Sequence, residues 1–466
     1  MRLMSAVDQL FLLLESRKQP MHVGGLFLFE LPETERDVDS DFVYKLVQQM
    51  QTSEAPPSFP FNQVLENLLF WKEDEQFDVE HHFRHVALPN PGRVRELLMY
   101  ISKEHSRLLD RAMPLWECHV IEGILPETEG GPERFALYFK IHHSLVDGIA
   151  AMRIVEKALS QSPTEPVTLP IWSVITRKTS KAEKSQPSAR TAMRVIKEQL
   201  STIKPVFTEL IDNLKHSGDE DYVGTFDAPM SILNRRISAS RRIAAQSYDI
   251  KRFYDIADTF SMNQNDVVLA VCSGALRRYL LDMNALPIKP LVGFVPMSLR
   301  CDESASGNQI SFLMANLATH LEDPVKRMQL IHDSMNSGKR RFRRMNKAQV
   351  INYSAVAYAW EGLNVFTGLF PKKQAFNLII SNVPGSKKQL YWNGAPLKAL
   401  YPASILVDGQ ALNITLASYQ DKIEFCITAC SKILPHVQDM LELIEQELSL
   451  LESISKEKRL GLRENQ

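Results

Sequence analysis

The chain has no apolar run long enough to span a bilayer. The burst near its start, LFLLL at 10–14, lies between Asp8 and Glu15 and falls far short of the roughly 20 residues a membrane helix needs. No signal-peptide pattern is visible, so the expected location is the cytoplasm. Neither charge is in surplus: Lys and Arg number 54 against 55 Asp and Glu, and no global field directs the protein to nucleic acid. Cysteine is scarce. Cys118, Cys272, Cys301, Cys426 and Cys430 are scattered, and the nearest pair falls in a strand-like run, which matches no zinc site and suits a reducing compartment. No G-x-S-x-G occurs, which removes the nucleophile elbow of the α/β hydrolases. No repeat of fixed period is found either.

What is present fits a globular protein of more than one core. At 466 residues, with 44% apolar and 23% charged residues, the chain exceeds the roughly 250 to 300 residues at which one core stops growing. Strand-like and helix-like segments alternate in both halves, which argues for an α/β protein with two layered units side by side.

Ser5 and Asp8 predict a capping box, followed by Val7, Leu10, Phe11 and Leu14 at helical spacing. VGGLFLF at 23–29 predicts a central strand buried on both faces. Asn90 and Pro91 are expected to open a helix striped by Leu97, Leu98, Ile101 and Leu108, and PLWECHVIEG at 114–123 returns as a strand. From 161 to 220 the texture changes to prolines and then to polar residues, which predicts a linker between units at 1–160 and 221–466. NDVVLAVCSGALRRYLLDM at 265–283 predicts a helix capped by Asn265. LVGFVPMSLR and FNLIISNVPG predict strands that end in turns.

The stretch YFKIHHSLVDGIAAM, 138–152, carries the candidate chemistry. Along the preceding strand Phe135, Leu137, Phe139 and Ile141 share one face, and the period of two places His143 with them and His142 with Tyr138 and Lys140. An imidazole emerging from an apolar face is partly desolvated and stays neutral, the state a general base requires. The competing reading of His143 is a hydrogen-bonded core histidine, and that of Asp147 is an N-cap for the helix that follows. A metal held by His142, His143 and Asp147 would need ligands on opposite strand faces.

HHSLVDG is similar to the HHxxxDG signature of the coenzyme-A-dependent acyltransferase superfamily, which includes chloramphenicol acetyltransferase and the condensation domains of peptide synthetases. With SAVDQLFLLLE, MHVGGL, PLWECHVIEG, NDVVLAVCSGALRRYL, GNQI, SNVPG and LNITLASY, the chain resembles bacterial wax ester synthase/acyl-CoA:diacylglycerol acyltransferases over nearly its whole length. It departs from their pattern at Ser386, where a second proline is common, and at Gln420-Asp421, where a glycine is usual.

The resemblance implies a two-domain α/β fold of chloramphenicol acetyltransferase type, with the active site at the domain interface. It implies acyl transfer from acyl-CoA to a long-chain alcohol or diacylglycerol, with His143 as general base, His142 beside it and no cofactor or metal. Asp147 would be paired with Arg300, with Gly148, Asn265 and Asp266 as structural support. Pro114, Leu115, Trp116, Pro384 and Gly385 are candidates for the substrate channel. Two alternatives are an acyltransferase that uses a polyketide or carrier-bound acyl group and a catalytically silent lipid-binding relative. The basic segment GKRRFRRMNK, 338–347, is expected to follow a helix interrupted at Gly338; it reads either as a solvated basic helix end or as a surface that meets an inner membrane or lipid inclusion, with the phosphates of coenzyme A as a further competing partner.

Overall fold

The stretch expected as a central strand is one: His22–Glu30 pairs with a neighbour on each side and buries both faces. The computed structural model describes residues 2–32, 41–66, 70–146, 148–174, 228–298, 310–344 and 374–464. In the first half lie β1 (Arg2–Leu3), α1 (Ala6–Leu14), β2 (His22–Glu30), α2 (Phe42–Gln51), β3 (Gln63–Leu65), β4 (Phe70–Glu73), β5 (Phe83–Ala87), α3 (Val94–His105), β6 (Trp116–Ile124), β7 (Arg134–His142) and α4 (Gly148–Ala158). After residue 227 come β8 (Arg241–Asp249), α5 (Ile250–Phe260), α6 (Gln264–Asp282), β9 (Val292–Ser298), β10 (Ile310–Asn316), α7 (Pro324–Arg344), β11 (Leu378–Pro384), β12 (Tyr391–Trp392), β13 (Ala395–Ala403), β14 (Leu412–Tyr419), β15 (Lys422–Cys430) and α8 (Asp439–Glu464).

Two six-stranded mixed sheets organise these elements. The first has the order β12-β13-β2-β7-β6-β5, and the second β10-β9-β11-β14-β15-β8. Strands β12 and β13 come from the C-terminal stretch yet complete the first sheet, so a cut near residue 220 does not separate the two sheets. One face of the first sheet packs on α2 and α4. Its other face meets α3 and residues of β8 and β15, with Leu26, Tyr138, Ile243 and Cys426 in one cluster. Helix α6 is buried nearly all round, as its apolar sequence requires, and centres the core of the second half.

Several expectations are corrected. In α1 the Ser5–Asp8 capping box forms, but Leu12 is the deeply buried residue while Leu10 is exposed, because Leu12 packs with Met4, Trp71 and Leu115. Arg93, not Asn90, caps α3, which ends at His105 and leaves Leu108 exposed. Residues 161–174 are not linker: Val167, Ile171 and Trp172 enter the first core, and Trp172 stacks on Trp116 at 5.4 Å. The remaining linker residues lie outside the described ones. Asn263 caps α6 in place of Asn265. Helix α7 runs through Gly338 to Arg344, and that glycine is buried, its missing side chain admitting Leu313, whose Cδ2 would lie 3.0 Å from a Cβ there.

Candidate active site

Strand β7 ends at His142, and residues 143–145 turn toward α4. The two histidines therefore part, as the strand period predicts. His142 is fully buried. The Ser144 N–H donates to its Nδ1 at 3.2 Å and the Ser144 hydroxyl lies 2.6 Å from the same atom, which makes Nδ1 the acceptor and leaves the proton on Nε2. That Nε2 faces Glu15 Oε1 at 3.4 Å. His143 is only partly buried. Its backbone N–H donates to Met21 O at 2.9 Å, and its ring stacks on Phe11 of α1, with centroids 4.5 Å apart and planes at 16°.

Glu15 closes the set. Its Oε1 accepts from the Met21 N–H at 3.2 Å, and its Oε2 accepts from Arg111 Nε at 3.1 Å. Burial acts to raise this carboxyl, but the contacts from His142, Met21 and Arg111 hold it below the ordinary value.

Behind the turn, Tyr138, Lys140 and His142 form one buried row backed by polar partners. Lys140 Nζ donates to Glu104 O at 3.1 Å and stands 3.5 Å from Glu117 Oε2. Burial would raise the Glu117 carboxyl, yet His119, Lys140 and Arg84 bring it down to about 2. Burial, aided by Lys140 and Arg241, lowers His105 to about 3 against the opposing bond to Ser404, so its ring is neutral. Glu104, Glu117 and His119 bring ligand atoms within 4.8 Å of one another. The Lys140 ammonium lies among them and supplies the positive charge they attract.

The second half reaches the site through β11. A Cβ at Gly148 would lie 3.7 Å from Val383, an ordinary contact. One at Gly385 would fall 2.3 Å from Ser418 O and 3.3 Å from Met152 of α4. Gly385 thus permits a close approach of β11, β14 and α4. The two departures from the family pattern meet here: Gln420 has φ 52°, the left-handed value a glycine takes readily, and its N–H donates to Ser386 O at 2.9 Å.

Among the other candidates, Asp147 and Arg300 lie outside the described residues, so their pairing does too. Asp266 is buried, closes the capping box of α6 and bonds His332 Nδ1 at 2.5 Å. Neighbouring Asn265 is partly buried. Pro114, Leu115 and Trp116 are buried. Leu115 O accepts from His142 N at 2.9 Å, and Trp116 Nε1 donates to Phe61 O at 2.9 Å within an aromatic stack. An apolar cavity on the α4 face of the first sheet is lined by Phe27, Leu137, Val155, Trp172 and Trp392, among others, and by none of these three. Sequence reasoning placed Phe11 only in the apolar stripe of α1 and gave no role in the site to Glu15, Met21, Arg111 or Ser144.

Residues 4–268 match the model of the wax ester synthase/diacylglycerol acyltransferase catalytic domain, and residues 306–452 that of the WS/DGAT C-terminal domain. The chain belongs to this family. It is 52% identical over 457 residues to the O-acyltransferase WSD of Acinetobacter baylyi, covering 97% of this chain and 98% of that protein. A solved wax ester synthase/diacylglycerol acyltransferase from Marinobacter aquaeolei superposes with TM-score 0.80 at 42% identity, covering 98% of this chain and all of that one. The starter condensation domain of rhizomide synthetase, at 12% identity and TM-score 0.54 over 98% of this chain and 94% of that one, shares the fold. The protein is an acyltransferase of the WS/DGAT family, with the coenzyme-A-dependent acyltransferase fold expected from HHSLVDG.

Proposed function

We propose that the protein transfers a long-chain acyl group from acyl-CoA to the hydroxyl of a fatty alcohol or diacylglycerol, with His143 as general base. The observation that carries this reading is the division of labour between the two histidines. His142 is buried, with each ring nitrogen beside a protein group, while His143 is partly exposed where β7 meets α4 and the end of β11.

In this route the His143 imidazole takes the alcohol proton as the oxygen attacks the thioester carbonyl. The C–O bond forms, the C–S bond breaks, and the imidazolium returns the proton to the departing thiolate. General base catalysis contributes about 10² to 10⁴ in rate, and holding the two substrates together supplies much of the remainder. The route uses no cofactor or metal. No helix among the described residues is long and apolar enough to cross a membrane. The same reading places the enzyme at the edge of a membrane or lipid inclusion, where both classes of acceptor partition. Exposed Leu10 and Leu13 of α1 support that placement, as does the exposed Arg340 near the end of α7.

The test is purified protein with palmitoyl-CoA and a panel of hexadecanol and diacylglycerol, following thiol release and lipid product together. Thiol release that requires an acceptor and matches ester formed is expected. Release without acceptor, or none at all, overturns the reading.

A further inference from the structure

The buried carboxylate of Glu15 is not explained by the proton transfer assigned to His143, yet it meets several supports of the turn that carries that residue. It terminates α1, whose Phe11 stacks on the His143 ring. Its Oε1 accepts from the Met21 N–H, and the carbonyl of the same Met21 accepts from the His143 N–H. The same oxygen stands 3.4 Å from His142 Nε2, a charge contact rather than a hydrogen bond, and that buried nitrogen has no hydrogen-bond partner, so the carboxylate is the group that faces it. Arg111, from the segment after α3, reaches Oε2 with Nε and donates to Leu12 O with its Nη2. The side chain of Glu15 is 2% exposed, so these partners, not water, satisfy its charge.

A buried carboxylate is costly unless it is paired and hydrogen-bonded. A neutral residue would fill the space without that cost, and the charge therefore needs a reason. The geometry supplies one. With Nδ1 of His142 accepting from Ser144, the ring must present Nε2–H, and a carboxylate fixes that tautomer as a neutral side chain would not. The ring orientation then sets residues 142–144, and with them the direction in which His143 leaves the strand.

We infer that Glu15 is a positioning residue of the acyl-transfer site, holding the His142 ring and the Met21 peptide so that His143 meets the acceptor hydroxyl in a productive orientation. It touches no substrate. The inference rests on the proposed role of His143, and the test separates the two.

Glu15→Gln keeps the shape and an acceptor for Met21 N–H but removes the charge. Acyl-transfer kinetics with palmitoyl-CoA and hexadecanol should show kcat lower by 10-fold to 100-fold, KM for palmitoyl-CoA within 2-fold, and a displaced acid limb of the pH–rate profile. Glu15→Asp should recover part of the lost rate. Arg111→Gln, at a partly exposed side chain, should reproduce a smaller loss of the same kind if Glu15→Gln does not fold. A merely structural Glu15 would instead lower activity only in proportion to the folded fraction, with the pH profile unmoved, and that result overturns the inference. So does an unchanged kcat in a folded Glu15→Gln. His143→Ala run in parallel distinguishes the failures: if it is inactive while the Glu15 and Arg111 variants are normal, positioning alone is wrong. If His143→Ala retains near-normal turnover, the general-base reading falls and positioning falls with it.

Discussion

Strand β7 and helix α6 are among the most deeply buried elements of the two halves, and they bury different chemistry. Every residue of β7 is buried, including Tyr138, Lys140 and His142 on one face. The buried positions of α6 are nearly all apolar, from Val267 to Leu280, with Asp266 and Ser273 as its polar exceptions. A buried polar group persists only if its partners are in place. The first half keeps such a row beside the histidine turn, with Lys140 set against Glu117 and Glu15 against Arg111. The second half buries one close ion pair, Arg327 of α7 with Glu447 of α8, inside a largely apolar core, and brings Val383 and Gly385 against α4. Each half has its own apolar core, and if the proposed role of the histidine turn holds, substitutions there and in α6 should separate rate from stability.

The largest expected effect comes from His143→Ala, which should reduce kcat by about 10² to 10⁴ while the melting temperature stays within a few degrees, because the ring is partly exposed. Steady-state kinetics beside thermal melts check this. In the contrasting half, Leu269→Ala removes a side chain with 0% exposure. It should cost about 2 to 5 kcal/mol of stability and leave kcat per folded molecule unchanged, as denaturant titration with activity corrected for folded fraction would show. If His143→Ala destabilised as much as Leu269→Ala, the contrast between the halves would be lost.

Gly385→Ala probes where the halves meet and should act on both properties. The added Cβ would fall 2.3 Å from Ser418 O, a backbone atom of β14 that cannot rotate aside. The end of β11 must then move away from β14 and press on α4. Overpacking of this kind costs about 1 to 3 kcal/mol, and a displacement of about 1 Å at the turn can lower the rate by up to about 10²-fold. A fall in kcat/KM beyond the loss of folded protein is expected. Activity that follows the folded fraction alone would make this contact part of the scaffold.

Much of this arrangement was legible in the sequence, and the exceptions have physical reasons. Uninterrupted apolar runs marked β2 and α6, because an element buried on all sides leaves no polar face to disguise it. The period of two along 135–143 separated His142 from His143. What was hidden depends on distant neighbours. Leu12 is buried and Leu10 exposed because the small sheet of β1, β3 and β4 packs on one side of α1, and nothing within α1 says which side. Residues 161–174 look like linker through their prolines, yet Trp172 finds its place on Trp116. Gly338 reads as a break and is instead a close contact with Leu313. Glu15 ends an amphipathic helix like any surface acid, and its partner Arg111 lies 96 residues away.

The smallest effect is expected at the buried carboxyl of Glu424, where β15 faces the first sheet. Its side chain bonds the Ser247 hydroxyl, which in turn lies 2.9 Å from the Tyr401 hydroxyl of β13, so one polar group spans the two sheets. Burial raises this carboxyl to about 7, against the lowering contributions of Ser247 and Lys422. The sign follows from proton binding. Below about 4.5 the group is protonated in both folded and unfolded chains and costs nothing. Between about 4.5 and 7 the unfolded chain releases the proton while the folded one retains it, and stability falls as pH rises. Above 7 both are ionised, and the full penalty, at most about 3 kcal/mol at 1.36 kcal/mol per unit, is present. Glu424→Gln resembles the protonated form at every pH. It should match the parent in stability near pH 4.5 and exceed it increasingly toward pH 8, with kcat per folded molecule unaltered throughout. Equal stability differences at the two pH values would mean that Glu424 is ionised in the folded protein across the range. The second half would then hold a buried charge at its interface, as the first half does beside His142.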